Sequence, residues 1–291
     1  MKIIKLIEAM RPKQWIKNLL IALPPLMSGE FVKWEVDRYA ALLYSLVLFT
    51  LASGAVYLLN DLRDLNHDSQ HPKKKSRPLA SGSLTKRTVL TFLFALVIPF
   101  GLMLRLVPEG VRLIVTIYLL VNVLYSLGMK HVAYWEMFAI ATGFVLRALT
   151  GSILVERQPS KEFFIVVFFG SLFIVISKRL AEIMSTNSIR RSVLKTYTQS
   201  GLQASAQIAV GIVLVSYCNF VFSSYFQNLD FLGELVLILS ILPFTVIILI
   251  LLDSSLKYNM EEPEEIFIRS IPLALNGLCW LFLFITYSLV R

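Results

Sequence analysis

The chain has 291 residues, 56% of them hydrophobic and 16% charged, with a mean hydropathy of +0.70 and a formal net charge of +9. A soluble domain of this size does not carry so little charge over so many long apolar runs. The two cysteines, Cys218 and Cys279, lie far apart in apolar segments, which excludes a disulfide framework and a thiolate metal site. The class that remains is an all-α polytopic membrane protein whose basic loops account for the positive charge, so no nucleic-acid partner is expected.

The first seventeen residues carry five cations and no small-residue cleavage site, so no cleavable signal peptide is expected. Ile3, Ile4, Ile7 and Met10 suit a short interfacial helix. With about 20 apolar residues as the length of a span, nine segments follow, near 18–28, 39–60, 88–107, 111–128, 135–155, 163–180, 204–225, 232–252 and 270–290. Pro24-Pro25 breaks the first, which predicts a tilt or kink there. No repeat, low-complexity tract or second soluble domain is visible, so residues 1–291 read as a single intramembrane domain. Of the 28 Lys/Arg, 20 fall at the amino end and in the loops on its side, and 7 on the opposite side. The positive-inside rule places the former in the cytoplasm, in an inner (cytoplasmic) cell membrane.

After the second span comes Asn60-Asp61-Leu62-Arg63-Asp64-Leu65-Asn66-His67-Asp68, then Lys73-Lys74-Lys75-Ser76-Arg77. On a helix, Asp61, Asp64 and Asp68 would form one stripe. Carboxylates that close repel unless a cation sits among them. An oxygen-only set suits Mg²⁺, commonly held by a few carboxylates plus substrate phosphate. The adjoining cations would take the remaining phosphate charge. A carboxylate at the end of an apolar run points to function. His67 and His71 lie off the stripe and read as solvated residues, and no His/Cys spacing suits zinc.

Further along, Tyr125-Ser126-Leu127-Gly128-Met129-Lys130-His131 precedes Glu136 at the head of a span. A turn at Gly128 would bring Lys130, a phosphate partner, and Glu136, a metal ligand, to the membrane surface; a surface ion pair is the alternative. Ser177-Lys178-Arg179 and Glu182 end the sixth span, where cations either bind phosphate or snorkel. Arg147 lies mid-span and requires a buried acid or carbonyls. In Arg11-Pro12-Lys13-Gln14-Trp15-Ile16-Lys17-Asn18, Lys17 is the candidate to reach inward and Trp15 an interfacial anchor.

These residues, in this order, resemble the UbiA prenyltransferase superfamily of intramembrane enzymes. Asn60, Asp61, Asp64 and Asp68 match its N-D-x-x-D-x-x-x-D signature, and Tyr125, Ser126 and Lys130 match the start of its second motif. Within it the chain is similar to the decaprenyl-phosphate phosphoribosyltransferase branch through Arg11–Asn18, Gly143–Ala148 with Gly151, Lys178–Glu182, Pro263-Glu264-Glu265 and the cations Arg190, Arg191 and Lys195 with Tyr197. Glu136 stands where an Asp is expected, and Ser270 where an acid is expected.

The resemblance implies nine helices around a central cavity and Mg²⁺ held by Asp61, Asp64, Asp68 and Glu136. It implies transfer of 5-phosphoribosyl from phosphoribosyl pyrophosphate to a polyprenyl phosphate, releasing pyrophosphate, towards arabinan precursors of the cell wall. Asp61, Asp64, Asp68 and Lys130 would then be catalytic. Lys17, Asn60, Arg77, Tyr125, Ser126, Lys178, Arg179 and Glu182 would bind the two phosphorylated substrates. The same acids would serve a prenyl diphosphate donor and an aromatic acceptor, and an ion or solute transporter is the reading from a different class. Membrane lipids are further partners, and a homo-oligomer is compatible with the sequence.

Overall fold

The computed structural model describes residues 2–28, 31–70, 74–156, 158–184, 192–225, 231–257 and 270–290, and among them helices are joined by loops with no strand. In chain order these are α1 (Lys2–Ala9), a 3-10 helix (Pro12–Ala22), α2 (Leu23–Met27), α3 (Val36–Arg63), α4 (Leu65–Asp68), α5 (Lys86–Leu106), α6 (Glu109–Leu127) and α7 (Trp135–Ile153). Then follow α8 (Lys161–Met184), α9 (Gln199–Tyr225), α10 (Phe231–Leu239), α11 (Ile241–Leu256) and α12 (Ile271–Val290). Short 3-10 turns lie at Phe31–Lys33, Lys74–Ser76, Met129–His131 and Ser192–Thr196.

Seven stretches are long and apolar enough to cross a bilayer: α3, α5, α6, α7, α8, α9, and α10 running on into α11. The protein is therefore a multi-pass integral membrane protein. The ninth expected span falls on α12, whose apolar stretch Ile271–Tyr287 is shorter than these seven. The first, at 18–28, is not an α-helical span: its chain winds as a 3-10 helix to Ala22 and then as the five-residue α2. Lys13, Gln14, Lys17 and Asn18 keep the apolar run from extending back from Leu19. Pro24 and Pro25 lack the N–H groups that would carry an α-helix through from residue 22, and they are accepted only because they fall in the first turn of α2.

The chain divides into two compact units. The first comprises Met1–Leu23, Lys33–Leu127 and Leu146–Glu156. In it Leu6 and Ala9 of α1 and Met10 just after it pack with Leu58 of α3, and Leu79, Leu84 and Val89 complete the cluster. Gly54 admits Met10, since a Cβ there would lie 2.3 Å from Met10 Cε. Ile3, Ile4 and Ile7 stay exposed on the other face of α1, as an interfacial helix requires. Thr85 caps α5, its Oγ1 accepting from the Thr88 N–H at 3.2 Å.

The second unit comprises Pro24–Val32, Gly128–Val145 and Arg157–Arg291. Leu172, Phe173, Ile176 and Leu180 of α8 pack with Leu202, Ala206, Val210 and Val213 of α9. The small residues Ala206 and Ala209 allow close approach, the device by which helices associate where lipid is as apolar as leucine. Tyr217 stacks on Phe244 at 4.0 Å between centroids, and its hydroxyl meets Ser240 Oγ at 2.7 Å and accepts from Trp280 Nε1 at 2.8 Å. On α12, Ile271, Leu275, Leu278 and Phe282 form an exposed stripe at helical spacing, as a lipid-facing surface would.

Candidate active site

The acidic motif straddles a helix junction. Asp61 closes the buried face of α3, which ends at Arg63; Asp64 is the joint, at φ −93° and ψ 11°, and α4 carries Asp68. The expected unbroken stripe is thus corrected to two short helical faces meeting at Asp64. The junction is held because the Asp64 N–H donates to Asn60 O at 2.8 Å and the Asp68 N–H to Asp64 O at 2.8 Å. Asp61 and Asp68 are 5% and 3% exposed, while Asp64 is half-buried.

Two ionised carboxylates buried so close to each other need cations, and arginines supply them. Arg77, just past the 3-10 turn Lys74–Ser76, donates from Nη1 to Asp68 Oδ2 at 2.5 Å and to Asp61 Oδ1 at 3.3 Å. Arg11 donates from Nη2 to the same Asp61 oxygen at 2.5 Å, and Lys74 Nζ lies 3.7 Å from Asp68 Oδ1. Burial pushes the Arg77 guanidinium down from its ordinary value and the like charge of Arg11 adds to this, while Asp61 and Asp68 oppose it. An arginine so placed keeps its proton at neutral pH. Asn60 Oδ1 accepts from Ser126 Oγ at 2.6 Å, joining the first motif to the second, and Tyr125 beside it is half-buried. Lys17 is half-buried on the 3-10 helix.

Arg147, 6% exposed, is served by neutral groups as well as by ring faces. Its Nε donates to Asn18 Oδ1 at 2.9 Å and its Nη2 to Tyr118 OH at 3.1 Å, and the guanidinium faces the rings of Tyr118 and Phe49. Asn18 in turn donates to Thr50 Oγ1 at 3.1 Å. The network ties the 3-10 helix that follows Arg11 to α3, α6 and the end of α7.

In the second unit, Glu136 and Arg179 form a fully buried bidentate pair. Arg179 donates from Nε to Oε1 at 2.5 Å and from Nη2 to Oε2 at 2.7 Å, and from Nη1 to Glu182 Oε2 at 2.7 Å. The Tyr134 N–H donates to Tyr197 OH at 2.9 Å, and the two rings meet edge to face. Lys178, the neighbour of Arg179, is exposed and Lys130 half-buried. Beside Tyr134, an apolar cavity of about 170 Å³ opens between Met137, Phe138, Phe169, Ile176 and Ile208. Asn60, Asp61, Asp64, Asp68, Arg77, Tyr125, Ser126 and Lys17 therefore belong to the first unit. Lys130, Glu136, Lys178, Arg179 and Glu182 belong to the second. His71, Lys73, Arg190, Arg191 and Pro263-Glu264-Glu265 lie outside the described residues.

Among the described residues no three His, Cys, Asp or Glu side chains stand close enough to share a metal ion. Asp61 and Asp68 nevertheless fit a divalent cation. Both turn hard oxygen donors on one point, taken by Arg77 Nη1, and two carboxylates plus substrate phosphate is a usual Mg²⁺ set. Glu136 does not fit in the same way, because both its oxygens accept from Arg179. Sequence reasoning missed Arg11 as a site residue; its signal was its place at the head of the Arg11–Asn18 passage, one of those that carry the resemblance.

The profile of the UbiA prenyltransferase family matches residues 22–271. Over 283 residues, covering 94% of this chain and 91% of the relative, the sequence is 31% identical to decaprenyl-phosphate phosphoribosyltransferase of Mycobacterium tuberculosis. A solved structure of digeranylgeranylglyceryl phosphate synthase superposes with a TM-score of 0.67 at 17% identity, covering 99% of both chains. A UbiA homolog from Archaeoglobus fulgidus bound to GPP and Mg²⁺ superposes with a TM-score of 0.64 at 16% identity, covering 98% of both.

Proposed function

Since this chain belongs to the UbiA prenyltransferase family and is a membrane transferase, we propose that it moves 5-phosphoribosyl from phosphoribosyl pyrophosphate to a polyprenyl phosphate, with Mg²⁺ and release of pyrophosphate. The observation that carries the reading is the cluster in which Arg11 and Arg77 converge on the buried carboxylates Asp61 and Asp68 at the end of α3. It offers oxygen donors for a divalent cation and, within the same few ångströms, guanidiniums for a diphosphate. The choice of a phosphoribosyl donor rests on the likeness to decaprenyl-phosphate phosphoribosyltransferase across nearly the whole chain.

In the reaction the bond from ribose C1 to the pyrophosphate oxygen breaks, and one forms from C1 to an oxygen of the lipid phosphate. The acceptor is already an anion, so no strong general base is needed. Asp61 and Asp68, with Asp64 at the joint, would hold the metal, which would supply charge neutralisation for the leaving pyrophosphate. Arg77, Arg11 and Lys74 would bind diphosphate oxygens. Asn60, fixed by Ser126, keeps the end of α3 in register with the second motif. Lys130 and Lys178 are candidates for a second phosphate, and Arg179, which donates to Glu136 and Glu182, is the weaker one. The apolar cavity beside Tyr134 supports a lipid acceptor. The basic loops support a site facing the cytoplasm across an inner membrane.

The test is to incubate the purified protein with radiolabelled phosphoribosyl pyrophosphate, a long-chain polyprenyl phosphate and Mg²⁺, and to count label in the lipid phase. Magnesium-dependent label in lipid is expected. Folded protein that leaves the label in water, yet alkylates an aromatic acceptor from a prenyl diphosphate, would sink the phosphoribosyl reading.

A further inference from the structure

The cluster at the end of α3 places two guanidiniums on one carboxylate oxygen. Asp61 Oδ1 accepts from Arg11 Nη2 at 2.5 Å and from Arg77 Nη1 at 3.3 Å, and that same Arg77 nitrogen donates to Asp68 Oδ2 at 2.5 Å. A single Arg77 nitrogen thus bridges two buried acids. Both arginine side chains keep 28% of their surface exposed, whereas the acids do not, so the arginines are the partners with somewhere to move. Arg11 is further held in the left-handed region at φ 58° and ψ 68°, a conformation that residues with side chains seldom adopt. Its guanidinium lies over the Tyr57 ring, 4.7 Å from the centroid. The mutual repulsion of two guanidiniums at one oxygen is offset by the carboxylates between them, and it falls when either one turns to a phosphate.

Resting on the metal–diphosphate reading above, we propose that Arg77, assisted by Arg11, is a resident counter-cation that competes with the divalent ion for Asp61 and Asp68. Both arginines exchange from these carboxylates to the diphosphate as the ion is taken up. The planar fork of arginine serves either partner, since it matches carboxylate and phosphate alike. Two consequences follow from charge alone. Without an anionic ligand, a metal ion entering between Asp61 and Asp68 leaves two displaced guanidiniums facing it, so the site binds metal weakly. With the anion present the displaced arginines gain a partner, and metal and diphosphate bind with positive coupling. The exchange also means that the two acids are never left buried together without a cation.

The exchange predicts opposite signs in two binding measurements on the purified chain in detergent. Mn²⁺ binding without any anion is followed by electron paramagnetic resonance. Arg77→Gln is expected to bind Mn²⁺ about tenfold tighter than the wild type, and Arg11→Gln about fivefold tighter, within the usual range of coupling between sites. Labelled pyrophosphate binding at saturating Mg²⁺ is expected to weaken about tenfold in Arg77→Gln, the reverse direction. A salt bridge with a purely structural role would tighten neither. Equal or weaker Mn²⁺ binding by both variants, each monodisperse on gel filtration, overturns the exchange. If Asp61→Asn then loses the wild type's Mn²⁺ signal, the metal reading itself survives. No Mn²⁺ binding by the wild type, with or without pyrophosphate, overturns both. Should Arg77→Gln fail to fold, Arg11→Gln carries the test, because it leaves the bridging Arg77 in place.

Discussion

Glu136→Gln separates two roles for one carboxylate. A metal ligand must offer a free oxygen, but both oxygens of Glu136 accept from Arg179, at 2.5 and 2.7 Å, and the pair is closed to solvent, with Glu136 0% and Arg179 2% exposed. The glutamine keeps one acceptor, turns an amide donor towards the guanidinium in place of the other and removes the charge. Breaking a buried pair from one side costs about 3–5 kcal/mol, because the remaining charge is stranded. Here Arg179 retains Glu182 at 2.7 Å, and that partner is 27% exposed. The loss should therefore fall at the low end, about 3 kcal/mol. At about 2–4 °C per kcal/mol for chains approaching this size, the melting temperature should drop by about 6–12 °C. The assay is thermal unfolding of the detergent-purified protein in EDTA, followed by tryptophan fluorescence at one fixed scan rate. The double variant Glu136→Gln/Arg179→Met should recover part of the loss, since no cation is left uncompensated. A variant that melts within about 2 °C of the wild type in EDTA, yet needs more Mg²⁺ for turnover, would refute this reasoning and make Glu136 a ligand.

Asp61→Asn should abolish transfer while the protein remains monodisperse in detergent; unfolding instead would return Asp61 to a structural role. Chelation by EDTA should stop transfer and added Mg²⁺ restore it, and activity that persists in EDTA would count against the metal reading. Thr85→Ala removes the cap of α5 and should cost about 1 kcal/mol in thermal unfolding with little change in turnover. Burial raises the Tyr197 hydroxyl above its ordinary 10.0, helped by Glu136 and opposed by the Tyr134 N–H and by Arg179. A raised folded value means stability that is present below pH 10 and lost as pH rises through the higher folded value. Tyr197→Phe should therefore flatten the alkaline fall in melting temperature relative to the wild type, and an unchanged slope would dissociate Tyr197 from it.

How far the sequence reaches is clearest residue by residue. Seven of the expected spans coincide with α3, α5, α6, α7, α8, α9 and α10–α11, because a bilayer demands a long apolar run in which the helix satisfies its own backbone, a local requirement written in consecutive residues. The segment 18–28 reads differently, since its two prolines and the polar residues just before it decide its winding and an apolar count does not weigh them. Asp61, Asp64 and Asp68 were legible as a motif because their spacing is short.

Their partners were not legible. Asp61 meets Arg77 from sixteen positions along the chain and Arg11 from fifty positions back, Arg147 meets Asn18 at a separation of 129, and Glu136 meets Arg179 at 43. Which cation neutralises which buried acid depends on how the helices pack, and charge alone is indifferent among the 28 Lys/Arg on offer. The sequence by itself determined that this is a membrane-embedded, multi-helix chain bearing clustered carboxylates next to basic residues. Only the tertiary structure decided that Glu136 is spent on Arg179 and that Asp61 and Asp68 share Arg77. Buried charge must be paired at short range, and short range across a helical protein is a property of packing rather than of order along the chain.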